Sequence, residues 1–292
     1  TKMIDFLVAR GDFAGAVARA DNLLRTQPDL SASLVNFLAS LAAEPRALPA
    51  LAERLAEHPS WRTPLLGALA ARPSSQDRGL RLIRAMAERG DKIDSNDFAP
   101  ALQQMLSAGQ TEQAYYLWIR FLPEEKKPKA GLVFDGDFSL PSSRLPFEWM
   151  FESSPGASVE APRDFGPGGK PALRLEFTGA RVSCLNVRQT LFLAPGRYLL
   201  KVQGMAQDLR SPRGFAWRLQ CQSKPYLRLA ELPVLQGARP WREQSVEFTV
   251  PDTGCDFQDI GLAVVATLPI DQSASGLLAY AGLRVERIEA KN

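Results

Sequence analysis

The sequence predicts a multidomain chain of α plus β type: an N-terminal solenoid of α-helical hairpins followed by a C-terminal antiparallel β-sandwich. Three observations carry this. Up to residue 122, apolar residues recur at helical spacing and are punctuated by Pro and Gly. From Leu132 onward, short runs alternate apolar and polar residues and are separated by Pro, Gly, Ser and Asp. Between the two styles lies a charged, proline-bearing break, LPEEKKPKAG, from Leu122 to Gly131. The expected domains are therefore residues 1–122 and 131–292, with a linker at 123–130. The 292 residues suffice for two separate cores.

The helical part is taken first. The stretch from Gly11 to Pro28, GDFAGAVARADNLLRTQP, has the form G-D-aromatic-x-x-A-x-x-x-A-x-x-L-L-x-x-x-P. It resembles the second half of a tetratricopeptide repeat. In that reading Gly11 ends one helix, Phe13 and Ala16 pack between helices, and Pro28 closes the second helix. Later segments echo the pattern, with a small residue at Ala16, Ala47, Gly79 and Ala114. Their spacings of 31, 32 and 35 residues bracket the roughly 34-residue period of such repeats. About four hairpins follow, and the resemblance implies a surface that binds a protein partner. Trp61 and Trp118 lie among Leu and Ile and read as core. The sole histidine, His58, precedes Pro59 at a helix end, where it is expected to meet terminal carbonyls. The chain opens at Thr1 without an initiator Met or an apolar leader, so it reads as a fragment or processed form, with further repeats expected before it.

The second part reads as ten strands: Gly131–Phe138, Phe147–Phe151, Ala172–Phe177, Val182–Leu193, Gly196–Ala206, Gly214–Gln222, Tyr226–Glu231, Arg242–Val250, Asp259–Thr267 and Leu277–Ile288. Ten short strands without intervening helices point to an antiparallel sandwich, and a length of about 160 residues to a jelly roll. The ordered segments GLVFDGDFS, PFEWMF, L-x-P-G-x-Y-x-L-x-V, WREQSVEFTVP and GLLAYAGLRVERI resemble the jelly-roll carbohydrate-binding modules of the galactose-binding-like class. The resemblance implies glycan binding. Such modules also hold a structural calcium through acids in their first and last strands. Here Ser139 follows Asp135-Gly136-Asp137-Phe138, and Tyr280-Ala281-Gly282-Leu283 carries no acid. Asp135 and Asp137 alone are a poor oxygen set, so no calcium is expected.

Alternation nominates the side chains that could meet a ligand. In GFAWRLQCQ, Phe215, Trp217, Leu219 and Cys221 share a core face, leaving Arg218, Gln220 and Gln222 on the other. The outward set of the preceding strand includes Lys201 and Gln203, and Asn186 and Arg188 point away from Val187. Arg, Gln, Asn and Lys side chains supply the donors and acceptors that sugar hydroxyls require. Tyr226 and Trp241 are the candidate stacking aromatics, and Trp149 reads as core.

Composition narrows the function classes. Net charge is +3, with 17 basic and 15 acidic residues up to position 130 and 18 and 17 after it. No basic stripe forms, so a nucleic-acid partner is not expected. No run is long and apolar enough for a membrane span. The cysteines, Cys184, Cys221 and Cys255, number three, so at least one thiol is left without a partner in this chain, and one disulfide is an open alternative to three small buried residues. No nucleophile motif, phosphate loop, Cys/His cluster or cofactor motif is present, and acids such as Asp164, Asp208, Asp252 and Asp271 sit in turns. The expectation is a non-catalytic protein without metal or cofactor. Its architecture suggests bacterial envelope or exopolysaccharide assembly, in the periplasm or at the cell surface. A scaffold whose jelly roll does not bind sugar, and a glycosidase-associated fragment, are the alternatives.

Overall fold

The computed structural model describes residues 2–71, 73–223 and 226–289, without the side chains at 28 and 73–76; the outer ends of the two expected domains, 1 and 290–292, lie outside them. The chain divides into two compact units, one ending at Phe121 and the other beginning at Leu122.

The first unit contains α1 (Lys2–Ala9), α2 (Phe13–Thr26), α3 (Ser31–Leu41), α4 (Leu48–Leu55), α5 (Arg62–Ala70), α6 (Pro73–Glu88), α7 (Ser95–Ser107) and α8 (Thr111–Arg120). Local chemistry marks their starts. The Asp12 carboxylate accepts from the Gly15 amide at 2.9 Å, and Asp94 and Asp97 form a reciprocal capping box on α7. Helices α3, α5 and α7 adjoin one another in one row, and α2, α4 and α6 in a second. The predicted small residues Ala16, Gly79 and Ala114 are buried on α2, α6 and α8. A Cβ on Gly79 would stand 3.2 Å from the Leu69 Cβ, so close helix approach demands a small residue there. Ala47 is buried too, but in a 3-10 turn ahead of α4, so the four positions are not structurally equivalent.

A buried ion network ties this unit together. Arg62, at the start of α5, donates to both carboxylate oxygens of Asp97 at 2.8 and 2.6 Å, to Asp91 at 2.7 Å, and to the carbonyls of Leu55 and Lys92 at 2.8 and 3.1 Å. The Leu55 carbonyl is one that the end of α4 leaves without an intrahelical donor. Trp61 is buried and its indole donates to Asp21 at 2.8 Å. His58 meets the end of α4 through its backbone, its amide donating to the Leu55 carbonyl at 2.9 Å, while its imidazole Nε2 lies 3.3 Å from Asp91 and its φ is 52°.

Among the described residues the second unit has ten strands: β1 (Met150–Glu152), β2 (Ala157–Glu160), β3 (Leu173–Arg181), β4 (Asn186–Leu191), β5 (Gly196–Arg210), β6 (Phe215–Cys221), β7 (Arg228–Glu231), β8 (Gly237–Val250), β9 (Gln258–Val264) and β10 (Ser273–Arg287). They form two five-stranded antiparallel sheets, ordered β1-β4-β9-β6-β7 and β2-β3-β10-β5-β8. The pairs β3–β10, β4–β9, β5–β8 and β6–β7 are nested one inside the next. A long antiparallel ribbon rolled onto itself produces this order, which is the topology of a jelly roll.

The predicted strand Gly131–Phe138 is instead a run of turns, and β2 was not foreseen. Asp135 and Phe138 adopt φ values of 47° and 56°, which no ladder accommodates. The Asp135 carboxylate holds the turn by accepting from the amides of Ser139 and Leu140 at 3.2 and 2.9 Å and from the Ser139 hydroxyl at 2.8 Å. Between the sheets, Phe138, Trp149, Trp217 and Tyr280 pack ring to ring, and Phe177 stacks on Phe215 with centroids 4.4 Å apart. The buried Trp149 indole donates to the Asp135 carbonyl at 3.2 Å, joining the turn to this core. In the P-G-x-Y stretch, the Tyr198 hydroxyl donates to the Ala194 carbonyl at 2.7 Å and braces the bend into β5.

Candidate functional site

Alternation along the first sheet sends every second side chain outward. On β4 these are Asn186, Arg188 and Thr190; on β9, Asp259, Gly261 and Ala263; on β6, Arg218 and Gln220, with Gln222 just beyond the strand, while Ala216 shares their face but is buried. The register aligns them in cross-strand rows. Arg188 and Arg218 both stand opposite Gly261, and Thr190 and Gln220 both stand opposite Asp259. A run of small residues along β9 is thus bordered by longer polar side chains on both neighbours.

The result is a groove of about 600 Å³. Its floor includes Gly261 and Ala263, and its walls carry Arg188, Arg218, Gln220, Gln222 and Asp259. Ser183, Cys184 and Leu185, from the β3–β4 connection, close one end. Tyr226, from the β6–β7 connection, is its only aromatic among the described lining residues and is 58% exposed. A Cβ at Gly261 would come 3.1 Å from the Val187 carbonyl oxygen, so the floor is close-packed beneath the opening.

Hydrogen bonds pre-set several of these groups. Arg218 donates through Nε to Glu231 at 2.7 Å, and Arg228 reaches the same oxygen of Glu231 at 3.0 Å. Asp259 accepts from the Thr190 hydroxyl at 2.9 Å through Oδ1 and from the Gln222 amide through Oδ2. Burial pushes the Asp259 carboxyl above its ordinary range, against the Thr190 hydrogen bond and the Arg188 charge.

The sequence-nominated residues therefore divide. Arg188, Arg218, Gln220, Gln222 and Tyr226 meet in one groove. Asn186 shares their face but lies outside the groove lining. Lys201, Gln203 and Trp241 do not belong to it: they lie on β5 and β8 of the other sheet. Lys201 there pairs with Glu286 at 2.8 Å. Alternation separates inside from outside on each strand, but strand order decides which outside. Asp259, Thr190 and Gly261 were missed, although the alternation Gln258-Asp259-Ile260-Gly261-Leu262-Ala263 already marks them as one face.

The cysteines divide between the groove lining and the core. Cys221, at the inward-facing end of β6, forms a disulfide with Cys255, and Cys184 is free and exposed. The buried Gln258 side chain donates to the Cys255 carbonyl at 2.9 Å and accepts from the Leu193 amide at 3.0 Å. These bonds hold the edge from which Gln222 and Tyr226 extend.

At the start of the sandwich, the Lys129 ammonium lies 2.7 Å from Asp137 and 3.9 Å from Asp135. Burial and the neighbouring Asp137 push the Asp135 carboxyl up to about 6. Asp137, despite burial, is held below its ordinary range by Lys129. Among the described residues, no group of three or more His, Cys, Asp or Glu side chains is placed to hold a metal ion.

No family model matches the sequence, and no curated protein matches it. Solved structures with a similar backbone include a family 4 carbohydrate-binding module, 12% identical, covering 53% of this chain and 99% of that one with a TM-score of 0.40. A protein from Bacteroides thetaiotaomicron described as a candidate sugar-binding protein is 10% identical, covering 55% and 100%, with a TM-score of 0.42. A xylan-binding domain of module family 22 is 13% identical, covering 55% and 97%, with a TM-score of 0.37. At these TM-scores the likeness carries no weight, and the jelly roll rests on the nested strand pairing.

Proposed function

We propose that the β unit holds a polysaccharide in the groove of its first sheet, without catalysing a reaction on it. The observation that carries this is the pairing of a small-residue floor, Gly261 and Ala263, with amide and guanidinium side chains on both walls and an exposed Tyr226 at the rim. Sugar rings present hydroxyls around their edges and an apolar C–H face. Gln220, Gln222, Arg188 and Arg218 match the first, and Tyr226 the second. Glycoside hydrolysis uses two facing carboxylates. Asp259 is the only carboxylate among the described lining residues, and Thr190 and Gln222 engage both its oxygens.

The wider role we assign is envelope or exopolysaccharide assembly outside the cytoplasm. The Cys221–Cys255 disulfide supports an oxidising compartment. The helical unit, read as a short solenoid of tetratricopeptide-like hairpins, takes the part of gripping a protein partner. Its two helix rows support that reading, as does a groove of about 360 Å³ lined by Leu80, Arg84, Met105, Gln113 and an exposed Tyr116. A protein scaffold that binds no sugar is the second reading, favoured by Leu268 and Ile270, which are 59% and 82% exposed on the β9–β10 connection.

Affinity electrophoresis of the full chain through gels containing different polysaccharides tests the proposal. Retardation by at least one polymer is expected, with loss on Gln220→Ala or Tyr226→Ala. Unretarded migration in every gel, alongside stable co-purification of a protein, favours the scaffold.

A further inference from the structure

The groove is not electrically balanced. Arg188 and Arg218 stand on either side of Gly261 in the register, one strand away in each direction. At the usual strand spacing their Cα atoms are about 10 Å apart, within convergence range of two arginine side chains over a residue that has none. Arg218 uses Nε for Glu231, and Glu231 is shared with Arg228. Both Asp259 oxygens are taken by Thr190 and Gln222. Arg188 is exposed and makes no ion pair within 4 Å among the described residues. Three arginines, Arg188, Arg218 and Arg228, thus face two acids, Asp259 and Glu231. A separate ion pair at the sheet edge, Arg144 with Glu152, is neutral.

Asp259, its oxygens already engaged, acts on Arg188 only at longer range, so a ligand with hydroxyls alone would cover the guanidinium without giving it a paired counter-charge, which is costly. A carboxylate compensates it and matches the planar donor fork with two parallel hydrogen bonds. Resting on the glycan reading above, we infer that the groove selects an acidic polysaccharide bearing carboxylates, with Arg188 as the selecting residue and Arg218 as its counterpart across Gly261.

The test compares binding of the full chain to polygalacturonate, to the same polymer fully methyl-esterified, to neutral xylan and to dextran sulfate, with a chelator present and across a range of NaCl. Polygalacturonate is expected to bind at least about tenfold tighter than its ester, the strength of a charge-assisted contact, and to weaken as salt rises. Arg188→Gln, which is exposed and keeps length, is expected to abolish that preference. Arg188→Lys retains part of it, and Lys201→Gln on the opposite sheet changes nothing. Equal binding of acid and ester, salt-insensitive binding, or an unaltered preference in Arg188→Gln overturns the inference while the glycan reading stands. Dextran sulfate binding as tightly as polygalacturonate, or an equal loss in Lys201→Gln, overturns it in favour of unselective anion attraction. Failure of every polymer to bind overturns both readings.

Discussion

Tyr226 exposes more than half of its surface at the rim of a polar groove, and a fold gains little from an aromatic held that way. In the glycan reading it stacks on a sugar face. Tyr226→Ala is expected to weaken polysaccharide binding by about 1 kcal/mol, roughly five- to tenfold, and to leave the melting temperature unchanged. Titration calorimetry with the retarding polymer and a thermal melt check the two halves of that statement. Asp135 makes the contrasting case, a residue whose role is stability. In the folded protein it keeps its proton up to about pH 6, whereas its ordinary value is 3.8. Between those values the folded state binds the extra proton, so this group's contribution to stability falls as pH rises from about 4 to about 6. Asp137 acts oppositely: its lowered value stabilises the fold above about pH 4, and that contribution is lost as pH falls further. Asp135→Asn is expected to remove the decline between pH 4 and 6 relative to the parent in melting curves recorded across that range; identical slopes for the two proteins refute it. Neither behaviour was legible locally. DGDF reads as a strand start; the bonds from Ser139 and Leu140 make it a turn, and Trp149 and Lys129, brought in by the fold, join Asp135 to the core and to a counter-charge.

At the scale of elements, β9 matters most for the groove because it lies between β4 and β6 and contributes the floor. Gly261→Leu would place a branched side chain between Arg188 and Arg218. It is expected to abolish polysaccharide binding. It is also expected to cost about 1 to 2 kcal/mol in stability, because its Cβ crowds the Val187 carbonyl and must shift it. Denaturant titration beside gel retardation separates the two effects, and retained binding in a folded variant would place the ligand elsewhere. Most strands were visible in the sequence, since alternation and Pro-Gly punctuation are local signals. Their adjacency was not. Lys201 and Gln203 alternate on β5 as Arg218 and Gln220 do on β6, yet these successive strands belong to opposite sheets. Only the nested pairing, from β3–β10 inward to β6–β7, distributes those polar faces, and it joins residues over a hundred positions apart. The helices follow the same rule. Small residues at Ala16, Gly79 and Ala114 were readable, while the buried Arg62 was not, because a charge in a sequence reads as solvated until its partners are known.

Across the whole molecule, each unit carries its own core and its own long-range tie. In the β unit the tie is Cys221–Cys255, which closes a loop with a sequence separation of 34. The chain-entropy estimate for that loop is about 4 kcal/mol, an upper value because reduced chains are not fully random. In the helical unit it is Arg62, whose guanidinium serves Asp97, Asp91 and two carbonyls at once. Removing one member of a buried ion network leaves uncompensated charge and costs about 3 to 5 kcal/mol. These two perturbations should therefore act on different parts of the chain. Hydrogen exchange on the full-length protein is expected to show that Cys221→Ser with Cys255→Ser lowers protection in β4, β6 and β9, with weaker polysaccharide binding because Gln222 and Tyr226 lose their anchored edge. Arg62→Met is expected to lower protection in α4, α5 and α7 and leave polysaccharide binding intact. Loss of protection throughout the chain in either variant would mean that the two cores unfold as one, and the division at Phe121 would then describe shape without describing stability.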